Sequence, residues 1–302
     1  MKTIVKVCNR EIRIEGRVLR IARLERERYE ELANPEAVIA DLRQCGCRVD
    51  LFTFIQRLPE IKPKYHYPME WDNFAVLPVS TFDHWLKHQI RFAPRGRLRQ
   101  AEKKGVATRE VPFSDSLVEG ICGIYNETPF RQGKRFPHYG KDLETVYKEE
   151  ATHLDRSIFI GAFLGEDLIG FIKLVEDETR SEATVINIVS LVRHKEKCPT
   201  NALIAHAVRS CAERHIPYLV YLKFAYGKRD RDGLSDFKER NGFERIDLPR
   251  YYVALTPIGR AAFRLGLHHR VFELLPGSVV NKFRELRASW YRRKSQPTME
   301  AP

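Results

Sequence analysis

The sequence predicts an α/β (α+β) fold: a mixed β-sheet flanked by helices, preceded by a smaller α/β half and followed by C-terminal helices. Three observations predict it. Between Asp115 and Leu255, runs with strand composition alternate with runs of helical apolar spacing, the pattern of strands crossed over by helices. Two long apolar runs, "SIFIGAFL" and "LIGFIKLVED", are separated only by Gly165, Glu166 and Asp167, which reads as a hairpin. A further run, "ATVINIVSLV", is nearly continuous in apolar residues, as expected of a central strand covered on both faces. With 302 residues, the chain is long enough to bury such a core without disulfide staples.

In chain order, "TIVKV", "EIRIEG" and "RVLRIARL" read as short strands. A helix from Pro35 to Gln44 follows, with Val38, Ile39 and Leu42 at helical spacing and Cys45-Gly46 at its end. "CRVDLFTFIQRL" is rich in β-branched and aromatic residues and reads as a strand, and "PEIKPKYHYPMEWDN" as a loop. Ser80 or Thr81 then caps a helix bearing Phe82, Trp85, Leu86 and Ile90, and "GRLRQAEKKGV" forms another. Ser114 or Asp115 caps "SDSLVEGICGIYNET"; a polar loop and the helix "LETVYKEEATHL" lead into the hairpin. After the apolar strand, "KCPTNALIAHAV" has a helix start capped at Thr200 or Asn201, with Leu203, Ile204, Ala207, Val208 and Cys211 on one face. "PYLVYLKFAY" is a strand, "LSDFKERNGF" a helix ending at Gly242, and "ERIDLPRYYVALT" the last strand. These boundaries divide the chain into an N-terminal α/β half (residues 1–94), a larger α/β domain (95–256) and a basic amphipathic helical appendage with a disordered end (257–302).

Composition limits the function classes. The chain is 43% hydrophobic and 30% charged, as in a soluble globular protein. Cys8, Cys45, Cys47, Cys122, Cys198 and Cys211 are scattered; a lone C-x-C without Cys or His partners lacks zinc spacing, so reduced thiols in a cytoplasmic protein are expected. The N-terminal stretch is charged too early for a signal peptide, and no apolar run reaches the roughly 18 residues of a membrane span. The net charge of +12 is concentrated. From Pro257 to Pro302, nine Lys/Arg stand against three Glu; from Arg95 to Arg109, six stand against one. Either these are solvated helix faces or they meet anionic partners: cofactor phosphates, nucleic acid or lipid headgroups.

The order of elements from Asp115 to Leu255, with "GAFLGEDLIGF" and "FKERNGF", resembles the GNAT superfamily of acyl-CoA-dependent N-acyltransferases. The resemblance covers about half of the chain. "RGRLRQAEKKGV" in front of it is similar to the FemAB-like branch, in which two GNAT-type halves sit in tandem; residues 1–94 would then be a degenerate first half. The resemblance implies transfer of an acyl or aminoacyl group to an amine by direct attack. It implies acyl-CoA (acetyl-CoA) as co-substrate and no metal. It also places the cofactor loop on "HKEKCPTNALIA", where Arg193, His194, Lys195, Thr200 and Asn201 would meet the pyrophosphate. Two departures are visible. The loop has none of the family's glycines, and Lys238 stands where a tyrosine often serves as general acid; it is either a catalytic proton donor in that place or part of a solvated helix face. Aminoacyl-tRNA as donor, with a cell-envelope precursor as acceptor, is the alternative that the missing glycines suit; a catalytically silent GNAT-like module is another.

The densest polar stretch is Tyr125 to Asp142, which the resemblance places beside the acceptor pocket. In one reading Arg131, Gln132, Lys134 and Tyr139 bind an acceptor, small-molecule or envelope-precursor, and Glu127 or His138 deprotonates its amine. In the other the loop is stapled by its own hydrogen bonds, with Glu127 paired to an arginine. Asn187 in the apolar strand needs a partner or faces a pocket, and is a candidate substrate contact. Of Tyr251 and Tyr252, alternation sends at most one to the site, with Tyr252 the candidate. His268-His269, with no carboxylate cluster beside it in sequence, reads as a helix surface pair and not a metal site. In the appendage, Val279, Phe283, Leu286 and Trp290 form one stripe among basic residues. That stripe either packs on the N-terminal half or docks on an anionic membrane, leaving the protein cytoplasmic or peripheral at the inner face. tRNA remains a possible partner; DNA is not expected, and aromatics are not interleaved as a stacking platform needs.

Overall fold

A computed structural model describes residues 2–226 and 233–269. The chain opens with β1 (Lys2–Val7), β2 (Arg10–Glu15), β3 (Ile21–Leu24), α1 (Pro35–Gln44) and β4 (Leu51–Ile55). Next come β5 (Met69–Pro78), the three-residue α2 (Phe82–His84) continuing as one π-helical turn to Gln89, α3 (Phe92–Lys103) and β6 (Val106–Glu110). Then follow α4 (Asp115–Tyr125), the two-residue strands β7 (Phe130–Arg131) and β8 (Lys134–Arg135), α5 (Leu143–Glu150), β9 (Ser157–Leu164), β10 (Asp167–Glu176) and β11 (Glu182–Ser190). The last elements are α6 (Pro199–Glu213), β12 (Tyr218–Val220), α7 (Gly233–Arg240), β13 (Glu244–Ala254) and α8 (Pro257–Arg264).

Eleven strands form one sheet in the order β1-β2-β3-β4-β13-β5-β12-β11-β10-β9-β6. The order is nearly a palindrome. In each half, three antiparallel strands lead through a helix to a fourth strand parallel to the third: β1, β2, β3, α1, β4 and β9, β10, β11, α6, β12. The strand that follows each unit is exchanged. β5 leaves the first half to pair with β12, and β13 leaves the second to pair with β4. β5 and β13 pair antiparallel over eight residues at the centre. Residue-level comparison of the halves finds no repeat; the repeat is one of topology.

This exchange explains a departure from expectation. The loop expected through Asn73 ends at Pro68, because Met69 to Asn73 are paired with Tyr251 to Asp247 of β13. The expected long strand from Pro217 to Tyr226 shrinks to Tyr218–Val220. Beyond it Leu222 has positive φ (48°), which a continuing strand does not tolerate. The expected helix over Phe82 to Ile90 is a short α turn followed by a π turn that seats fully buried Trp85, whose Nε1 donates to the Asn241 carbonyl at 2.9 Å.

The main core lies between the second-half strands and their helices. Ile121, Ile124 and Val146 come from α4 and α5, and Leu203, Ile204, Ala207 and Val208 from α6. A smaller core, with Ile12, Leu24, Val38, Leu42, Phe52 and Phe54, holds the first half and takes in Tyr251 and Val253 of β13. At about 25 cal/mol per Å² of apolar area, each fully buried Leu, Ile or Phe contributes roughly 1.5–3 kcal/mol. α4 starts at Ser114, whose Oγ accepts from the Leu117 N–H at 3.3 Å, as the cap reading predicts.

Candidate active site

β11 is central, as its apolar run predicts, but its two neighbours hold it unequally. It pairs with β10 along its whole length, from Ala183 to Ser190, and with β12 only at Glu182 to Thr184. A bulge at Ile186 shifts the register between Leu174↔Val185 and Lys173↔Asn187. Among the described residues, β11 has no strand partner on the β12 side from Val185 onward, and Ile186 to Ser190 are half-buried where Glu182 to Val185 are buried. The two parallel strands splay into a cleft with open backbone groups on one wall.

On the α5 side of β11 lies a buried polar cluster. The Tyr125 hydroxyl donates to Glu150 Oε1 at 2.9 Å, and Asn187 Nδ2 donates to the same oxygen at 2.7 Å. Lys173, opposite Asn187 on β10, donates from Nζ to the carbonyls of Glu150 (2.6 Å) and Thr152 (2.8 Å). Glu150 is fully buried, and its Oε2 has no hydrogen-bond partner among the described residues. Burial pushes the Glu150 carboxyl above its ordinary range, against the opposing pull of Lys173. Burial likewise lowers Lys173 to about 8. His138 stacks on Tyr125 with ring centroids 4.4 Å apart; burial first, then Lys141, lowers its pKa and so favours the neutral imidazole. The Lys141 Nζ lies 3.0 Å from His138 Nδ1 and is itself held by Glu149.

At the far end of β11, the loop from Val192 to Lys197 coils into a 3₁₀ turn. The carboxylate of Glu127 accepts from the Val192 N–H (2.6 Å) and the Arg193 N–H (3.0 Å). Arg131 lies 3.4 Å from the same carboxylate and donates to the carbonyls of Ser190 (2.6 Å) and Ile124 (2.8 Å). Glu127 and Arg131 thus fasten α4 to the end of β11. Asn126 closes the rest of the stretch, donating to the carbonyls of Cys122 and Lys141 and accepting from the Gly140 N–H. This is the stapled-loop alternative of the sequence. As placed, Glu127 is a latch and not a free base, and Arg131 is spent on the same latch. Gln132 (φ 52°), Lys134 and Tyr139 are exposed on the outer side of the loop.

The expected cofactor residues separate. Arg193 and Lys195 are exposed and His194 half-buried. Thr200 Oγ1 lies 3.1 Å from Ser190 Oγ, at the mouth of the cleft. Asn201 is buried, facing Asn241 Oδ1 at 3.5 Å, and does not point at an anion. The expected Thr/Asn cap of α6 is replaced by Cys198 in a left-handed conformation with Pro199 at the first helical position, and no side chain caps the helix. α3 braces this loop: Gln100 Nε2 (2.8 Å) and Lys104 Nζ (3.0 Å) both donate to the Glu196 carbonyl. Arg97, Arg99, Lys103 and Lys104 of α3 are exposed, as are Arg193 and Lys195 of the loop it braces.

Lys238 is fully buried, in place of the solvated helix face its sequence suits. Its Nζ donates to the Lys223 carbonyl at 2.5 Å and faces the rings of Tyr221 (4.5 Å) and Tyr226 (5.3 Å). Tyr252 packs away from Asn187, in an aromatic group with Phe263 and His268. Alternation holds for the tyrosine pair: Tyr251 enters the first-half core and donates its hydroxyl to Gln56 Oε1 at 2.8 Å. The residues expected to act from Val279 to Arg293 lie outside the described ones.

Next to the polar cluster is a small, partly open pocket over the joint of the two halves. Its apolar lining includes Ile55, Phe74, Val76, Val220 and Leu248. Thr184 of β11 also lines it and, being opposite Val175, shares a sheet face with Lys173. At one side Arg57 and Glu182 form a buried ion pair; burial pulls Arg57 down to about 10. Sequence reasoning missed Tyr125, Glu150, Lys173, Arg57 and Glu182. For Lys173 a signal existed, a single lysine within the apolar strand "LIGFIKLVED".

No family model matches the chain, and no curated protein matches it by sequence. Solved structures do match. The L-PGS structure from Bacillus licheniformis superposes with a TM-score of 0.57 at 15% identity, covering 87% of this chain and 88% of that one. The C-terminal domain of a lysylphosphatidylglycerol synthetase candidate from Agrobacterium fabrum gives 0.56 at 14% identity, with 87% of each chain covered. FemX gives 0.55 at 10% identity, covering 88% and 90%. Among the described residues, no helix is long and apolar enough to cross a membrane. The likeness covers nearly nine-tenths of the chain, so the fold, a large mixed sheet flanked by helices, is GNAT-like and shared with these three structures.

Proposed function

We propose that this chain is an N-acyltransferase, moving an acyl or aminoacyl group from an activated ester or thioester to an amine by direct attack. The observation that carries the reading is the splay of β11 from β12 directly beside a buried polar cluster and a partly apolar cavity. The open edge of β11 offers backbone donors and acceptors to an extended acyl carrier, as a partner strand would. Asn187 has its amide nitrogen committed to Glu150, which leaves Oδ1 to accept from an amine.

In the transfer, the amine nitrogen attacks the carbonyl carbon, and the tetrahedral intermediate collapses with loss of the thiolate or alkoxide. The attacking nitrogen must shed a proton and the leaving group must gain one. Neutral, half-exposed His138 is the base that the cluster supports, and Glu150 and Tyr125 hold it and Asn187 in place. Positioning supplies most of the rate in a site without a nucleophile.

Acyl-CoA is the donor that the fold suggests first. One observation favours aminoacyl-tRNA instead. The amides of Val192 and Arg193, which an incoming pyrophosphate would need, are held by Glu127, while exposed lysines and arginines line the braced α3 and loop. A polyanion needs such a surface and does not need the amides. The acceptor is read as an amine of a small molecule or envelope precursor, seated in the cleft beside Asn187.

The deciding experiment supplies the purified chain with radiolabelled acyl-CoA and, separately, with a mixture of charged tRNAs. Each is combined with a panel of amino sugars, peptide amines and amino-headgroup lipids, and products are identified by mass spectrometry. Transfer from either donor supports the reading, and the productive donor assigns the class. No transfer from both, in a folded sample, refutes it and leaves a silent binding module.

A further inference from the structure

Away from the cleft, on the far side of Tyr252, three metal-ligating side chains converge. His268 and His269 follow α8, and Glu70 lies near the start of β5, some two hundred residues earlier. Glu70 Oε1 is 3.0 Å from His268 Nε2 and 3.1 Å from His269 Nε2, and all three ligand atoms lie within 4.8 Å of one another. Sequence reading dismissed the histidine pair because no carboxylate accompanied it; the fold supplies one through the central β5–β13 pairing, which sets Glu70 opposite Arg250.

We propose that Glu70, His268 and His269 form a binding site for a divalent transition metal of the zinc class. Two imidazole nitrogens and one carboxylate oxygen are a donor set that zinc takes, with a fourth position left for water. With metal–ligand bonds of about 2.0–2.1 Å, a tetrahedral site needs ligand–ligand separations of about 3.3 Å. The two oxygen–nitrogen separations are within a few tenths of an ångström of that. The site is also preorganised. The His268 side chain is only 2% exposed and is clamped between the rings of Phe263 (centroids 4.8 Å) and Tyr252 (4.7 Å). His269 stacks on it at 4.0 Å, and Glu70 is fixed by its strand. A metal here would staple the segment after α8 to the sheet and, through Tyr252, to the strand that joins the two halves.

The test uses the untagged full-length chain, stripped with a chelator and titrated with Zn²⁺ by calorimetry and with Co²⁺ by visible absorption. The expected result is one equivalent bound with a micromolar or tighter dissociation constant, Co²⁺ bands of tetrahedral intensity, and a raised melting temperature with metal. Glu70→Gln and His268→Gln should each weaken binding at least tenfold, with circular dichroism confirming that both variants fold. The exposed His84/His88 pair, one helical turn apart with ring centroids at 5.1 Å, is the competing chelate. His84→Gln with His88→Gln should leave binding unchanged. The proposal is overturned if no metal binds, if E70Q and H268Q bind as the wild type does, or if the His84/His88 double variant is the one that loses it.

Discussion

Glu127→Ala should both loosen the chain and open an anion site. The Glu127 carboxylate accepts from two consecutive backbone N–H groups at 2.6 and 3.0 Å and is paired with Arg131 at 3.4 Å. Hydrogen bonds to a charged group are worth about 1.5–3 kcal/mol when buried. Here Val192 and Arg193 are exposed, so water replaces the carboxylate, and about 1 kcal/mol for each bond is the discounted figure. Arg131, whose side chain is 17% exposed, keeps its two carbonyl acceptors but loses its counter-charge, for roughly another 1 kcal/mol. The sum is about 3 kcal/mol, readable as a lower urea midpoint at unchanged slope. The vacated amides, beside Arg131 and Arg193, then form a concavity for an anion. Millimolar phosphate or coenzyme A should therefore raise the melting temperature of the variant and not that of the wild type. A loss below about 0.5 kcal/mol with no anion rescue would refute the assignment of Glu127 as the anion of this loop. Strong coenzyme A binding by the wild type would refute it by another route.

Four other outcomes follow from the same structure. His138→Gln should lower kcat by roughly 10²- to 10⁴-fold with little change in stability, measured in whichever transfer assay is productive. For Lys173, the folded pKa (about 8) lies below the free value of 10.5, so the unfolded chain binds the extra proton between them. Stability should rise with pH across that window, and Lys173→Met should remove this part of the slope in urea titrations at pH 7.5 to 10.5. Glu150 is the opposite case. Its raised pKa contributes stability below the ordinary carboxylate range that is lost as pH rises through the folded value, and Glu150→Gln should flatten that loss. In Gly259→Ala, the added Cβ would stand 1.8 Å from the Asp50 carbonyl oxygen, forcing α8 off β4 at a cost of about 3 kcal/mol, seen as a lower melting temperature.

The second half was legible because its signals are local. Apolar spacing, the Ser114 cap and the Gly165 turn each act within a few residues, and α4, the β9–β10 hairpin and α6 stand where they predict. The exchange of β5 and β13 was not legible. Nothing in "MEWDNFAVLP" says that its partners lie some 140 to 180 residues away, and a proline-rich approach made half of it look like loop. The site divides in the same way. That the Tyr125 to Asp142 stretch is crowded with polar groups is a property of the sequence. That Glu127 is consumed by backbone amides 65 residues later is a property of the fold. Buried charges such as Glu150 and Lys173 are found from sequence only when a lone charge interrupts an apolar strand. Glu150, in a helix with charged neighbours, gave no such sign.

The cleft has a cause that joins these strands of evidence. A parallel pair such as β11 and β12 can separate when each strand is held firmly on its other edge. β12 and the residues after it are held by β5: Leu219 pairs with Leu77, the Leu222 carbonyl accepts from the Ala75 N–H, and the Tyr221 N–H donates to the Ala75 carbonyl. β11 is held on one edge by β10, with the bulge at Ile186 turning the strand, and leaves its other edge open to the cleft. Because β5 comes from the first half, the geometry of the second half's cleft depends on the exchange. The first half thus supplies one wall of the site's frame even though it carries none of the polar cluster, and weakening the β5–β13 pairing should close or distort the cleft before it unfolds either core.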